Sequence, residues 1–315
     1  MKSWAAECGF DACGIAAAAD WPELRHFRDW LDRGYAGAMT YLHRSADRRA
    51  DVRRVLPSAR TVIVTATVYN TNRPFSTEST DPDVALVARY AWGDDYHDVL
   101  TARLEALLQR MRDRSSEPFE ARVYVDTGPV QERVYAQRAG LGWVGKNTCL
   151  INPRLGSFVF LGEILCSLDL EVDESSFDQC GSCTLCLEAC PTKALPEPGV
   201  LDSTRCISYL TIELRGEIPD VSRASIGSHI YGCDICQEVC PWNAVAPCSS
   251  DEAWQPRAVW DRPSLLTLTS RSDGDFSAAL EGSAMRRAKV QGLRRNMVVA
   301  LANAQKSRPG PPSAL

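Results

Sequence analysis

The sequence has no apolar run approaching the ~20 residues needed to span a bilayer, so it predicts no transmembrane helix and no membrane association. Its first stretch, MKSWAAECGFDACGIAAAAD, is interrupted by Glu7 and Asp11 and holds no twin-arginine pair, so no export signal is expected and a cytoplasmic location is. A basic excess is also missing. The 35 Lys and Arg stand against 40 Asp and Glu, for a net charge of −5. That removes the usual global sign of nucleic-acid binding. Basic residues gather only locally, at Arg44, Arg48, Arg49, Arg53 and Arg54, and again at Arg286, Arg287, Lys289, Arg294 and Arg295. Each group reads equally well as a phosphate-binding patch or a solvated helix face. No long internal repeat is visible.

What the chain does have is cysteine, 13 in 315 residues. In a reducing compartment metal ligation is the expected use, and disulfides are not. Eight of the cysteines fall between 180 and 240, while Cys8, Cys13, Cys149, Cys166 and Cys248 are scattered. With 45% hydrophobic and 24% charged residues, the rest has the composition of a globular protein with a sizeable core.

Helix and strand signals alternate over 1–170. Leu24, Phe27, Trp30 and Leu31 have helical spacing, and Gly34 follows as a stop. The β-branched run 61–69 predicts a buried strand. Residues 95–112 predict a helix, 121–125 a short strand, and 157–168 a strand continuing across a turn. Pro129 is expected to open a helix that Gly140 closes. The alternation implies an α/β or α+β fold for 1–170. The cysteine-dense segment spans 171–243, beginning with an acidic linker. Residues 244–304 are a short C-terminal helical segment, with Leu293, Met297, Val298 and Leu301 on one face, and 305–315 a disordered tail.

Cys180, Cys183, Cys186 and Cys190 spell C-x₂-C-x₂-C-x₃-C followed by Pro191. This is the bacterial ferredoxin run, in which three thiolates hold one [4Fe–4S] cluster and the fourth serves the other. Cys233, Cys236 and Cys240 repeat the pattern before Pro241. The first cluster then takes Cys180, Cys183, Cys186 and Cys240. The second takes Cys190, Cys233 and Cys236, with Cys206 as its fourth ligand. A zinc ribbon would use the C-x₂-C pairs, but leaves the third spaced cysteine and the repeated Cys-Pro unexplained. Two such clusters carry single electrons, which puts the chemistry in the preceding residues.

In those residues Asp126 follows the strand ARVYV and precedes Thr127, Gly128 and Pro129. From the residues alone it is a helix cap or a positioned acid. Gly140, Gly142 and Gly145 make either an ordinary turn or a loop whose amides approach a ligand. His97 lies in Asp95-Tyr96-His97-Asp98-Val99-Leu100, where Leu100 stands in place of the glycine of a D-x-H-x-x-G cobalamin motif, so His97 is not assigned as a cobalt ligand. Cys149 and Cys166 are expected in the core, and Trp143 and Trp242 as packing residues.

The strings RYAWGDDYHDVL (89–100), VDTGPVQERVYAQRAGLGWVGKNTCLI (125–151), GSFVFLGEIL (156–165), RCISYLTIELRGEIP (205–219) and YGCDICQEVCPWN (231–243) resemble the epoxyqueuosine reductase family. The resemblance implies reduction of the epoxide of epoxyqueuosine, at the tRNA anticodon wobble position, to queuosine. It implies an oxidoreductase using cobalamin and two [4Fe–4S] clusters, with a nitroreductase-like cobalamin-binding domain at 1–170 and a ferredoxin-type double-cluster module at 171–243. It also implies a short form without most of the C-terminal HEAT-like repeats found in longer members. Asp126 is then the proton donor, and Lys146, Asn147 and Thr148 contact the corrin, with Arg49, Tyr90, Asp126, Ser208 and Arg215 as further cofactor contacts. For such a donor a raised pKa is expected. Either a cobalt–carbon bond or outer-sphere electron transfer fits the residues. The implied partners are tRNA and an electron donor of ferredoxin or flavodoxin type, with the chain acting as a monomer. A reductive dehalogenase or a non-catalytic electron carrier would share parts of this pattern.

Overall fold

The β-branched run after Arg60 and the apolar run after Phe158 become the two central strands of an antiparallel sheet, in a computed structural model that describes residues 1–308. Along the chain come α1 (Lys2–Glu7), β1 (Ala12–Ala17), α2 (His26–Asp32), α3 (Thr40–Arg49), β2 (Thr61–Val68), β3 (Leu86–Val87) and α4 (Tyr96–Arg114). Then follow β4 (Ala121–Tyr124), α5 (Glu132–Arg138), β5 (Trp143–Val144), β6 (Leu150–Ile151), β7 (Val159–Cys166) and α6 (Leu185–Ala189). The remainder is α7 (Asp220–Arg223), β8 (His229–Tyr231), α8 (Ile235–Glu238), α9 (Leu265–Thr269), α10 (Asp273–Ala279) and α11 (Lys289–Ser307).

The main sheet has the order β1-β2-β7-β4, and every neighbouring pair is antiparallel. The fold is therefore α+β, with no parallel crossover in this sheet. Strand alternation sends Val62, Val64, Leu161 and Leu165 to one face, against Tyr135 and Ala136 of α5. Ile63, Phe160 and Ile164 point the other way, onto Leu100, Leu104, Leu107 and Leu108 of α4. Burying both faces explains why β2 is apolar or β-branched throughout. The expected strand at 157–168 is one unbroken strand. α5 begins at Glu132 and not at Pro129. The intervening turn is pinned by the Gln131 side chain, whose amide donates to the carbonyls of Leu24 and Arg49 at 2.9 and 3.0 Å.

The three segments marked off at 170 and 243 share a core. β3 pairs in parallel with β8, and Ala85, Val87, Ile230 and Tyr231 pack with Trp260, Phe276, Leu293 and Met297. This joins the first segment to both later ones. α11 continues to Ser307, beyond the expected end at 304, and Val298, expected on its packed face, is exposed. Residues 309–315 of the expected tail lie outside the described residues. Among the described residues no helix is long and apolar enough to cross a membrane.

Candidate active site and metal centres

The two cysteine motifs lie around α6 and α8, which pack together. Cys180, Cys183 and Cys186 line a cavity of about 110 Å³ whose remaining wall includes Cys240 from the other motif. The four cysteines thus share the wall of one cavity. That arrangement suits a bulky four-iron cubane. Trp143 is fully buried and donates its indole N–H to Cys180 Sγ at 3.4 Å, so it is more than a packing residue. Lys146 Nζ donates to the carbonyls of Gly181 and Cys183 at 2.6 and 2.8 Å, holding the ligand loop.

At the second centre Cys206 lies within electrostatic reach of Cys190, Cys233 and Cys236. Ser208 lies beside the Cys206 thiol. Asn147, 4% exposed, donates to the carbonyl of Cys236 at 3.1 Å. Cys149, expected in the core, instead sits beside the Cys236 thiol. Two acids tie this module to the first segment. Asp234 accepts the Arg89 N–H at 2.6 Å, and Glu238 accepts from Ser76 N and Oγ at 2.7 Å each. The guanidinium of Arg89 is itself buried against the carbonyls of Thr71, Arg73 and Pro74.

Asp126 follows β4 in the left-handed region, at φ 54°. It does not cap α5, whose N-cap is Gln131. Its Oδ2 accepts from the Tyr96 hydroxyl at 2.9 Å and faces His97 Nε2 at 3.3 Å. The other ring nitrogen, Nδ1, lies 2.7 Å from Asp95 Oδ1. Asp95 also caps α4 through the His97 N–H at 3.1 Å, so the first helical turn fixes both neighbours of Asp126. Phe160 stacks on Tyr96, with ring centroids 4.6 Å apart.

The charges in this group differ from the sequence expectation. Burial raises the Asp126 carboxyl, but hydrogen bonds from His97 and Tyr96 and the nearby positive charges outweigh it, and the net shift is downward. The raised pKa expected of a proton donor is therefore not found on Asp126. The proton sits next door. Burial opposes a charge on His97, yet its hydrogen bonds to Asp126 and Asp95 raise it to about 9. At neutral pH the pair is an imidazolium beside a carboxylate. His97, not assigned as a ligand from the sequence, is thus part of the constellation. The signal for it was its position in the first turn of a helix capped by Asp95, which carries no mark of Asp126.

Asp126 is enclosed by protein on most sides, yet its side chain is 59% exposed, so it forms the floor of an open hollow. Tyr41, Arg49, Tyr90, Arg133 and Arg287 stand within electrostatic reach of it. Arg49 is anchored by Ser45 Oγ at 3.0 Å and the Val130 carbonyl at 2.9 Å. An open floor with aromatic and cationic walls fits a large, partly planar ligand with polar amides and a phosphodiester, which is the character of cobalamin.

The other expected cofactor contacts are divided. Lys146 and Asn147 are taken up by the cluster loops, as above. Thr148, at φ 66°, uses its carbonyl to accept from Arg133 and so borders the hollow. Ser208 lies beside Cys206, and among the described residues Arg215 donates only to the Ala288 carbonyl, at 3.4 Å. The glycine-rich loop is explained internally. A Cβ on Gly142 would lie 2.2 Å from the Ile151 carbonyl oxygen, and one on Gly145 2.4 Å from Ile151 Cδ1. These glycines permit close packing between β5 and β6.

The second basic group is also divided. Arg294 donates to the carbonyls of Thr269 and Arg271, and Arg295 to those of Leu210, Leu214 and Gly216. Both are structural. Arg287 pairs with Glu213 at 2.8 Å over the Tyr41 ring, and Arg286 lies within reach of Asp95, so these two border the hollow. A separate cavity of about 250 Å³ near Asp11, Thr67 and Cys248 contains none of the expected site residues.

Comparison with known proteins agrees with this architecture. A family model described as "4Fe-4S double cluster binding domain" matches residues 179–243, and one described as "Epoxyqueuosine reductase QueG, DUF1730" matches 49–127. The epoxyqueuosine reductase of Gloeobacter violaceus is 44% identical over 308 residues, 96% of this chain and 94% of the relative. That of Escherichia coli is 39% identical over 305 residues, 96% of this chain and 80% of the relative. Among solved structures, an epoxyqueuosine reductase with an epoxyqueuosine-modified tRNA-Tyr stem loop superposes with a TM-score of 0.87 at 31% identity, covering 97% of this chain and 80% of that one. The Bacillus subtilis enzyme, with its catalytic aspartate loop swung out of the active site, gives 0.87 at 31% identity, covering 97% and 81%.

Proposed function

We propose, from the premise that this chain belongs to the epoxyqueuosine reductase family, that it reduces epoxyqueuosine in the tRNA anticodon wobble position to queuosine. The observation that carries the reading is the Asp126–His97–Tyr96 group on the floor of an open hollow, in a chain that also carries a double-cluster module. The net change is loss of the epoxide oxygen as water, with two electrons and two protons taken up.

The eight cysteines would hold two [4Fe–4S] clusters, and Arg49, Tyr90, Asp126, Thr148 and Arg133 would border a cobalamin. The clusters and cobalamin, when bound, supply low-potential single electrons at the hollow. The protein's own groups manage the protons. His97 stores one on Nε2 and shares it with Asp126 Oδ2. Asp126 then delivers it to the oxygen as negative charge develops there. Asp95 holds the ring in the tautomer that points Nε2 at Asp126. Tyr96, stacked on Phe160, fixes the carboxylate from the other side. Arg286 and Arg287 at the rim suit RNA phosphates, which local positive charge attracts even on an acidic protein. The reading places the protein in the cytoplasm with its tRNA and a ferredoxin- or flavodoxin-type donor.

The test is anaerobic conversion of an epoxyqueuosine-containing stem loop by protein reconstituted with iron, sulfide and cobalamin. Mass spectrometry should show loss of one oxygen atom. A fully loaded protein that is reduced by dithionite yet leaves the RNA unchanged would overturn the proposal, and would favour an electron carrier.

A further inference from the structure

α3 runs from the second cysteine centre to the turn after Asp126. At its start the Ala38 N–H donates to the Tyr209 hydroxyl at 2.8 Å, and Met39 packs on the Tyr209 cluster, as Cys206 does. At its end Arg49 donates to the Val130 carbonyl at 2.9 Å, and the Gln131 amide donates back to the Arg49 carbonyl at 3.0 Å. Both ends are therefore fixed beside the hollow. Arg287 reaches α3 from the turn 284–288, with its guanidinium carbon 5.4 Å from the Tyr41 ring centroid. Two hydrogen bonds of 2.8 Å to Glu213 hold that guanidinium in place.

The spacing i, i+3, i+7 puts Tyr41, Arg44 and Arg48 in one stripe of α3. Ser45 and Arg49 form the neighbouring stripe, and their side chains bond each other at 3.0 Å. That inner stripe is tied to protein. The outer stripe is not. The Tyr41 side of α3 is open, with Tyr41 37% exposed, and Arg44 and Arg48 are exposed with no ion-pair or hydrogen-bond partner among the described residues. The acid of this helix, Asp47, is engaged instead by Arg28 at 2.6 Å. Like charges one turn apart weaken a helix. The helix dipole accounts for Arg48 in the last turn, but gives no use to Arg44 or to an exposed aromatic ring.

We propose that the Tyr41–Arg44–Arg48 stripe of α3 docks the single-stranded part of the RNA substrate, with Tyr41 stacking on an unpaired base beside the reacting nucleotide and the two arginines holding phosphates. This rests on the reading above, which brings the wobble nucleotide to Asp126. Unpaired RNA bases stack on aromatic rings and on guanidinium planes. Arg287 lies over the Tyr41 ring, so an incoming base extends a stack that Glu213 has already fixed. Tyr41 stands eight residues before Arg49, about 12 Å along the helix axis, so it meets a neighbour of the nucleotide in the hollow. Two unpaired guanidiniums complement the phosphates locally, although the chain as a whole carries −5.

The test is equilibrium binding of the reconstituted protein to epoxyqueuosine-containing stem loops, intact or abasic at one of the two nucleotides flanking the wobble position. Tyr41→Ala should weaken binding of the intact loop about tenfold, and Tyr41→Phe should restore it. One of the abasic loops should bind wild type about tenfold more weakly and lose nothing further in Tyr41→Ala. Changing that base to another should matter little, because every base offers a face to stack on. Arg44→Ala with Arg48→Ala should lower the logarithmic salt slope by about 1.4, at about 0.7 per phosphate of a single strand. Iron content and cobalamin affinity should match wild type in all three variants. Unchanged affinity in Tyr41→Ala, or an equal loss on the intact and both abasic loops, overturns the proposal. Loss of cobalamin affinity in Tyr41→Ala also overturns it, by assigning the ring to the cofactor. A loaded protein that binds the loops as described yet converts none overturns the reductive reading instead, and leaves the docking stripe standing.

Discussion

Replacing Asp126 by Asn tests the active-site electrostatics at a single atom pair. His97 is raised from its ordinary 6.5 to about 9 by two carboxylates, Asp126 and Asp95. Each pKa unit is worth about 1.4 kcal/mol, so together they favour the imidazolium by roughly 3 kcal/mol. Asp126 supplies part of this, and because its side chain is 59% exposed, solvent screens the contribution to roughly 1 kcal/mol. A group whose folded pKa is raised adds stability that is present below its unfolded value and fades as pH rises through the folded one. Glu132 also titrates up to about 7, so the window above that isolates His97. In Asp126→Asn the His97 titration, followed by NMR, should move down by about one unit. The stability difference from wild type should change by roughly 1 kcal/mol between neutral pH and the far side of the wild-type titration. Turnover should fall about a hundredfold, with iron content and cobalamin binding intact. A His97 titration unchanged in the variant, with near-normal turnover, would refute the pairing and the role together.

Reconstituted protein should bind about eight irons, and Cys233→Ala about half that, measured by metal analysis; stoichiometric zinc with no iron would contradict the cluster assignment. Trp143→Phe removes the N–H donated to Cys180. A bond of about 0.5–1 kcal/mol corresponds to roughly 20–40 mV, so an EPR-monitored redox titration should show one cluster shifted to lower potential by that amount. The two arginine roles separate by assay. Arg286→Ala should weaken stem-loop binding and reduce its logarithmic salt slope by up to about one, with melting temperature unchanged. Arg295→Ala removes donors from three carbonyls and should instead lower thermal stability by about 1–3 kcal/mol.

Strand and helix positions were largely legible because periodicity is local: β2 and α4 fall within two residues of their expected ends. The double-cluster segment was equally legible, since the C-x₂-C-x₂-C spacing is a property of consecutive residues. Even the exchange of Cys240 into the first group follows from ferredoxin spacing, and the cavity shared by Cys180, Cys183, Cys186 and Cys240 has that composition. What sequence alone could not determine is which side chains meet across the fold. Asp126 and His97 stand 29 positions apart, and only the packing of α4 beside the end of β4 brings them together. That contact reverses the charge expected of Asp126. Lys146 and Asn147 looked like ligand donors in a glycine-rich loop, but the double-cluster module approaches closely enough to occupy them. Glu163 sits in an apolar strand string where one letter marks it as unusual. Only the sheet's layering shows that its carboxyl is sealed from water. Local spacing writes the cysteine motifs into the chain directly, whereas protonation states depend on burial and on distant partners that exist only once the chain has folded.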